Sequence, residues 1–308
     1  MQESEQPLVV YASSQSHSSV DKAALLAGFG RNNIRVIPVD DNYAMRPDAL
    51  REAIESDRAR GLLPCAVVAT TGSTATTSLD PLADIAKVTQ PHGLWMHVDA
   101  AMAGSAMILP ECRSMWHGVE QADSLVINPH KWLGVSFDCS VYFVRDPEHL
   151  VRVMSTNPSF LQTAADGQVK NFRDWGIPLG RRFRALKLWF LIREQGVSGL
   201  RARIRRDIGN ASWLAAQVDA APNWKRVAPA PLQTVCVRHE PPGLSGDALD
   251  THTLAWVRRI NESGKAYLTP AMLDGRWMVR VSIGVEATER RHVEQLWALL
   301  QEQAARGA

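Results

Sequence analysis

Short apolar runs alternate with amphipathic segments through the first half of the chain. The runs are rich in β-branched residues and predict strands, whereas the segments between them repeat apolar residues at helical spacing and predict helices. The predicted strands are Leu8–Ala12, Ile34–Val39, Cys65–Thr70, Leu94–Val98, Ser124–Ile127 and Ser140–Val144, and the predicted helices are Ser18–Phe29, Arg46–Arg60 and Asp80–Gln90. Strands that alternate with single helices predict an α/β fold with a mostly parallel sheet covered on both faces.

The pattern changes near residue 185. Long helices are predicted around Arg181–Arg206, and shorter elements follow them. These are strands at Thr234–Val237, Lys265–Thr269 and Trp277–Ile283, with a hairpin turn at Asp274–Gly275, and helices at Leu249–Ser263 and Thr288–Ala304. We therefore expect a large α/β domain over residues 1–186 and a small C-terminal α+β domain over residues 187–308.

Composition narrows the class of protein. The 308 residues are 45% hydrophobic and 21% charged, with a net charge of +2, which excludes a disordered or collagen-like chain. No apolar run reaches the roughly 18 residues of a membrane span, and the N-terminus is too polar for a secretory signal. The four cysteines lie far apart, which argues against zinc and disulfides and for a reducing, cytoplasmic location.

A basic cluster between Arg181 and Arg206 holds nine Lys/Arg and one acidic residue. Such a cluster is compatible with nucleic-acid binding. Leu200, Ile204 and Ile208 recur at a spacing of four, however, and the arginines between them occupy other helical faces. We therefore expect an amphipathic helix with a solvated basic side and no nucleic-acid partner.

Reactive side chains follow three of the predicted strands. Asp99 ends Leu94–Val98, Lys131 lies shortly after Ser124–Ile127, and His17 lies shortly after Leu8–Ala12. Ligands of open α/β sheets bind at the carboxyl ends of strands. Pyridoxal 5'-phosphate (PLP) requires a lysine for a Schiff base, an acid beside its pyridine nitrogen and an aromatic group against its ring. These three residues supply that set.

Longer motifs extend this match to a known family. The chain closely resembles the group II PLP-dependent amino-acid decarboxylases, nearest the aromatic-L-amino-acid decarboxylase branch. The resemblance rests on HVDAAMAGSA (97–106), ADSLVINPHKWLGVSFDCS (122–140), YASSQSHSSV (11–20), TTGSTATTSLDPL (70–82) and FRDWGIPLGRRFRALKLWF (172–190). It implies a fold type I, PLP-dependent transferase-like architecture and a homodimer.

The resemblance also implies a role for individual residues. Lys131 holds PLP as an aldimine, Asp99 pairs with the pyridine nitrogen, and His17 stacks on the ring and orients the substrate carboxylate. The remaining implied cofactor contacts are Thr74 beside PLP, Ala101 on its other face, Ser124 and Asn128 toward the phosphate, and His130 next to the lysine. An ion pair between Asp80 and Arg181 is implied as well.

Two departures from the family pattern affect the expected activity. The family's N-terminal part, with its interlocking arm and its Gly/Ser-rich phosphate-binding turn, has no counterpart in this sequence, which suggests a truncated chain. In addition, the mobile loop of the family carries a tyrosine that protonates the quinonoid intermediate, whereas NPSFL (157–161) has Phe160, which has no transferable proton. In plant relatives that change accompanies oxidative deamination to an aldehyde.

Three functions therefore stay open. The favoured one is PLP-dependent decarboxylation of an L-amino acid, most readily an aromatic one, to the amine and CO2. The first alternative is decarboxylation-dependent aldehyde synthesis, which depends on Phe160. The second is a truncated, inactive protein of the same fold. The small-molecule amino acid is the expected ligand, and neither a metal nor a membrane is expected.

Overall fold

The computed structural model describes residues 6–306 and contains two β-sheets. The first has six strands: β1 (Leu8–Ser13), β2 (Ile34–Ile37), β3 (Leu63–Thr70), β4 (Trp95–Asp99), β5 (Ser124–Ile127) and β6 (Val141–Val144). Their order is β2-β1-β3-β4-β5-β6, and all neighbours are parallel except β5 and β6. This sheet confirms the predicted α/β class.

Between residues 6 and 306, seven α-helices connect and cover the strands. They are α1 (Ser19–Leu26), α2 (Pro47–Ala59), α3 (Leu82–Thr89), α4 (Pro147–Met154), α5 (Ala185–Ala220), α6 (Gly246–Glu262) and α7 (Arg290–Ala305). The sequence favours α2 at this point because Pro47 opens the helix and Asp48 lies in its first turn. The Asp146 carboxylate caps α4 by accepting the backbone N–H of His149.

The second sheet is antiparallel and lies in the C-terminal part of the chain. Its strands are β7 (Trp224–Arg226), β8 (Thr234–His239), β9 (Thr269–Leu273) and β10 (Arg276–Ser282), in the order β7-β8-β10-β9. Together with α6 and α7 they form the predicted α+β unit. The predicted hairpin is confirmed, because β9 and β10 pair across Asp274 and Gly275, which both have positive φ.

The predicted strand at Lys265–Thr269 is wrong, since only Thr269 belongs to β9. The side chain of Asn261 explains the difference. Its Oδ1 accepts the backbone N–H of Leu268 at 2.7 Å, and its Nδ2 donates to the Leu268 carbonyl at 2.9 Å. The backbone groups of Leu268 are therefore engaged by a helix residue instead of a neighbouring strand.

Helix α5 contributes to the hydrophobic cores of both sheets. Leu200 and Ile204 pack in the core beneath the large sheet, whereas Leu214 and Val218 pack in the core of the small sheet. The expectation of a fully solvated basic side is wrong at Arg203, which is only 7% exposed. The division into domains at residue 186 stays a prediction. Within residues 6–306, no helix is both long and apolar enough to cross a membrane.

Candidate active site

The carboxyl ends of four parallel strands meet at one edge of the large sheet. The register places Thr70 of β3 opposite Asp99 of β4, and Asp99 opposite Val126 of β5. A cavity of about 450 Å³ opens at this edge. Its lining is His17, Ser19, Thr70, Gly72, Thr74, Asp99, Ala101, Met102, Val126, Asn128, Lys131 and Ser140. The structure therefore brings together six of the nine site residues expected from the sequence.

Asp99 lies where β4 turns toward the cavity. Its Oδ1 accepts the backbone N–H of Ala101 at 3.0 Å, which fixes the carboxylate at the end of the strand. Ala101 lines the cavity in turn and adds only a methyl group to the wall. The segment after β4 thus offers a carboxylate beside a small side chain, an arrangement that leaves space for a flat ligand.

Lys131 lies in a compact turn after β5. The backbone N–H of Asn128 donates to the Ala101 carbonyl at 3.0 Å, which joins this turn to the one after β4. Within the turn, the Lys131 N–H donates to the Asn128 carbonyl at 2.9 Å and the Val135 N–H donates to the Pro129 carbonyl at 3.0 Å. These bonds fix the backbone from which the lysine amine enters the cavity.

The imidazole of His17 has a defined tautomer. Its Nδ1 accepts the backbone N–H of Ser19 at 3.2 Å and lies 2.8 Å from the Ser19 hydroxyl oxygen. A ring nitrogen that accepts an N–H bond carries no proton, so the proton of the neutral ring is on Nε2. His17 therefore presents a hydrogen-bond donor at Nε2.

Two buried polar atoms in the cavity wall have no hydrogen-bond partner among the described residues. They are the hydroxyl oxygen of Thr70 and the side-chain oxygen of Asn128. Both atoms are shielded from solvent, so neither is exposed to a ligand in the open cavity. The cavity is instead lined by Lys131, Asp99 and His17, whose amine, carboxylate and imidazole fit a polar aromatic cofactor such as PLP.

Ser124 is not among the residues that line the cavity. It is buried, and its hydroxyl accepts the indole N–H of Trp95 at 2.9 Å and lies 2.8 Å from Nδ1 of His97. Burial lowers the pKa of His97, while the charge of Asp99 opposes that shift. The Ser124 hydroxyl is therefore engaged within the sheet, and its phosphate contact stays a prediction.

His130 and Phe160 also lie outside the cavity lining. The Nδ1 of His130 lies 2.7 Å from the backbone oxygen of Cys139 and 3.1 Å from its nitrogen, so the ring anchors the lysine turn to the segment before β6. Phe160 lies in a short 3-10 helix, Ser159–Leu161, and its side chain is 82% exposed. The roles expected for both residues stay predictions.

The ion pair expected between Asp80 and Arg181 is not formed. Asp80 is buried, and its two carboxylate oxygens accept the backbone N–H groups of Met45 and Thr70, each at 2.7 Å. Arg181 is exposed and donates to the Phe172 carbonyl at 3.3 Å. Desolvation by burial raises the pKa of Asp80 to about 6, against the opposing effect of the two backbone bonds.

Sequence analysis missed Thr70, Gly72 and Arg280. Thr70 ends β3, the strand next to β4, and Gly72 follows it, so their position at the same sheet edge was the available signal. Arg280, a cation within an apolar strand, lines an adjoining cavity of about 240 Å³ with His17 and Thr74. Its Nε donates to the Ala75 carbonyl at 3.1 Å, which connects the small sheet to the loop after β3.

The chain is similar to several known proteins. Over 306 residues the chain is 42% identical to tryptophan decarboxylase TDC1 of Camptotheca acuminata. The alignment covers 96% of this chain and 60% of that protein. Over 302 residues it is 41% identical to phenylacetaldehyde synthase of Arabidopsis thaliana, covering 97% and 62% of the two chains. The crystal structure of Oryza sativa TDC with PLP and tryptamine superposes with a TM-score of 0.95 at 36% identity, covering 98% and 63%.

The chain thus spans about three-fifths of the length of these relatives. A family model described as the pyridoxal-dependent decarboxylase conserved domain matches residues 2–240. Because this match takes in well over half of the sequence and includes every strand of the large sheet, the chain belongs to the pyridoxal-dependent decarboxylase family.

Proposed function

We propose that this chain carries out PLP-dependent decarboxylation of an aromatic L-amino acid to the amine and CO2. The observation that carries the proposal is that Lys131, Asp99 and His17 line the same cavity at the carboxyl edge of the large sheet. When bound, PLP supplies an aldehyde carbon for an amine and a pyridinium ring that accepts the electron pair left at Cα when CO2 departs.

Each side chain has a defined task in this proposal. Lys131 provides the amine that attaches the cofactor, and Asp99 holds a proton at the ring nitrogen. His17 would lie against the ring and donate from Nε2, while Thr74 would provide a hydroxyl beside it. Ala101 excludes water from the opposite face without filling the space that a flat ring needs.

The relatives support an aromatic substrate. TDC1 is named a tryptophan decarboxylase, and one related structure, from Catharanthus roseus, is a tryptophan decarboxylase in complex with L-tryptophan. Arg280 supports the binding of an anionic group in the adjoining cavity, because its guanidinium forms no ion pair with a carboxylate of the described residues. We propose that this cation faces the carboxylate of the bound amino acid.

Aldehyde synthesis is the second candidate function, and Phe160 is the observation that favours it. An amino acid, O2 and water would give the aldehyde, CO2, ammonia and hydrogen peroxide. Phenylalanine has no proton to deliver to the carbon that loses CO2, which leaves that carbon available to O2. The identity to phenylacetaldehyde synthase supports this alternative. We place it second because His17 keeps a donor at Nε2.

We also propose that the chain forms a homodimer in the cytoplasm. Exposed apolar side chains within residues 172–190 support a protein partner. They are between 53% and 92% exposed: Phe172, Ile177, Leu179, Phe183, Trp189 and Phe190. The four unpaired cysteines support a reducing compartment. Light scattering during gel filtration is expected to give twice the chain mass, and a monomer at micromolar concentration would contradict the dimer.

Product analysis tests the proposed activity. The purified chain is incubated with PLP and L-tryptophan, L-tyrosine or L-phenylalanine, and CO2, amine, aldehyde and peroxide are measured. We expect amine and CO2 in equal amounts and none from a Lys131→Ala variant. Equal amounts of aldehyde and peroxide would favour the synthase instead. If the wild-type chain forms no more CO2 than the Lys131→Ala variant, the result favours the alternative of an inactive protein.

A further inference from the structure

The residue after Lys131 ties the lysine turn to the long helix α5. Trp132 is buried, and its indole N–H donates to Oδ2 of Asp207 at 3.0 Å. Asp207 lies on α5 and is only 1% exposed. Lys131 lines the cavity while Trp132 packs into the core behind it. The orientation of one side chain is therefore linked to the anchoring of the next.

Arg203, one helical turn before Asp207, holds the backbone of the same turn. It is buried, and its Nη2 donates to the Leu133 carbonyl. Gly134 follows with a φ of +82°, and a Cβ at this position would lie 2.5 Å from Arg203 Nη1. The positive φ favours glycine at this position, and α5 contacts both a side chain and the backbone after Lys131.

Burial raises the pKa of the Asp207 carboxyl, while the indole N–H of Trp132 and the charges of Arg206 and Arg203 oppose that shift. The Arg206 guanidinium lies 3.8 Å from Asp207, and Arg203 adds a second positive charge nearby. Loss of the side-chain acceptor, as in Asp207→Ala, would leave the buried indole N–H of Trp132 unpaired.

We propose that Asp207, acting through Trp132, is a positioning residue that sets the orientation of the Lys131 amine in the cavity. The inference rests on the proposed function, in which Lys131 is the cofactor lysine. Small displacements of a reacting group lower rates steeply, by about 100-fold for about 1 Å. The attachment of PLP to Lys131 is therefore the step that Asp207 controls.

The test compares wild type with variants by the rate at which PLP becomes attached to Lys131. Attached PLP is trapped with borohydride, and peptide mass analysis identifies the labelled lysine. We expect Trp132→Phe and Asp207→Ala to slow attachment by about tenfold or more and to shift the pH midpoint of the lysine-dependent visible absorbance. Asp207→Asn keeps an oxygen acceptor and is expected to stay within about threefold of wild type. The double variant should be no slower than the slower single variant, because both remove one bond.

Tyr11→Phe is the matched control. Tyr11 also donates to a buried carboxylate, that of Asp57, at 2.9 Å, and Arg35 pairs with that carboxylate as well. Loss of the Tyr11 hydroxyl should lower the melting temperature without slowing the attachment of PLP to Lys131. If Trp132→Phe and Asp207→Ala lower the melting temperature as Tyr11→Phe does but leave attachment rate and pH midpoint unchanged, the inference is overturned. A wild-type chain that traps no PLP at Lys131 would instead overturn the proposed function.

Discussion

The Nδ1 atom of His17 accepts the backbone N–H of Ser19 at 3.2 Å, and the Ser19 hydroxyl lies 2.8 Å from the same atom. The bond fixes the neutral ring with its proton on Nε2. Ser19 thereby controls what His17 offers to a substrate, although its own hydroxyl carries out no chemistry. The proposed activity depends on this pairing of two residues at the start of α1.

A Ser19→Ala variant tests the pairing. Loss of the hydroxyl removes one contact and leaves the backbone bond, so we expect kcat to fall roughly tenfold, which corresponds to about 1.4 kcal/mol. Ser19→Thr keeps a hydroxyl and should retain most of the activity. Ser18→Ala, one residue earlier, is the control. Equal rates for Ser19→Ala and Ser18→Ala would show that the hydroxyl does not position His17.

Removal of the Asp99 charge separates cofactor chemistry from cofactor attachment. An Asp99→Asn variant cannot stabilise a proton on the ring nitrogen, so we expect kcat to fall by about 100-fold or more. Attachment of PLP to Lys131 should persist, because the amide remains at the same place. Steady-state kinetics and borohydride trapping measure the two effects. Loss of attachment with normal turnover per bound cofactor would contradict this role.

The loop residue Phe160 determines the expected product. A Phe160→Tyr variant adds a phenol that can deliver a proton, so we expect the ratio of amine to hydrogen peroxide to rise by about tenfold or more. Phe172→Tyr places the same change on another exposed phenylalanine after α4 and should leave the ratio unchanged. An unaltered ratio in Phe160→Tyr would show that residue 160 does not determine the product.

Buried Asp80 predicts a specific pH dependence of stability. Burial raises its pKa to about 6 from an ordinary value of 3.8, so the folded state favours the protonated carboxyl. This contribution is complete below about pH 4 and is lost as the pH rises through about 6, at a cost on the order of 2 to 3 kcal/mol. Urea unfolding of wild type and Asp80→Asn across this range should show that the wild-type decline is absent in the variant. If the unfolding free energies of wild type and Asp80→Asn changed with pH in parallel, the proposed contribution of Asp80 would be contradicted.

The sheet and the position of the site could be predicted because they depend on local pattern and topology. Asp99 and Lys131 follow two apolar strands, and parallel strands place their carboxyl ends at one edge. Nothing local distinguishes Arg203 from the exposed arginines around it, since its burial depends on which helical face meets the turn at Leu133 and Gly134. The helical period predicts an amphipathic segment but not what packs against it.

Side-chain partners were harder to predict than backbone elements. Ser124 lies in the strand predicted for it, but Trp95 and His97 on β4 engage its hydroxyl within the sheet. Asp80 likewise pairs with two backbone N–H groups instead of a guanidinium. In both cases the partner is set by contacts between elements that are distant in sequence. A resemblance between short motifs does not determine such contacts.

The central claim is that the Lys131 amine binds PLP covalently in the cavity that Asp99 completes. The most direct measurement is borohydride reduction of the chain with PLP, followed by peptide mass analysis. The account predicts one pyridoxyl group per chain on the peptide that contains Lys131, and none on that peptide in Lys131→Ala. A label spread over surface lysines, or one that persists at equal yield in Lys131→Ala, would contradict it.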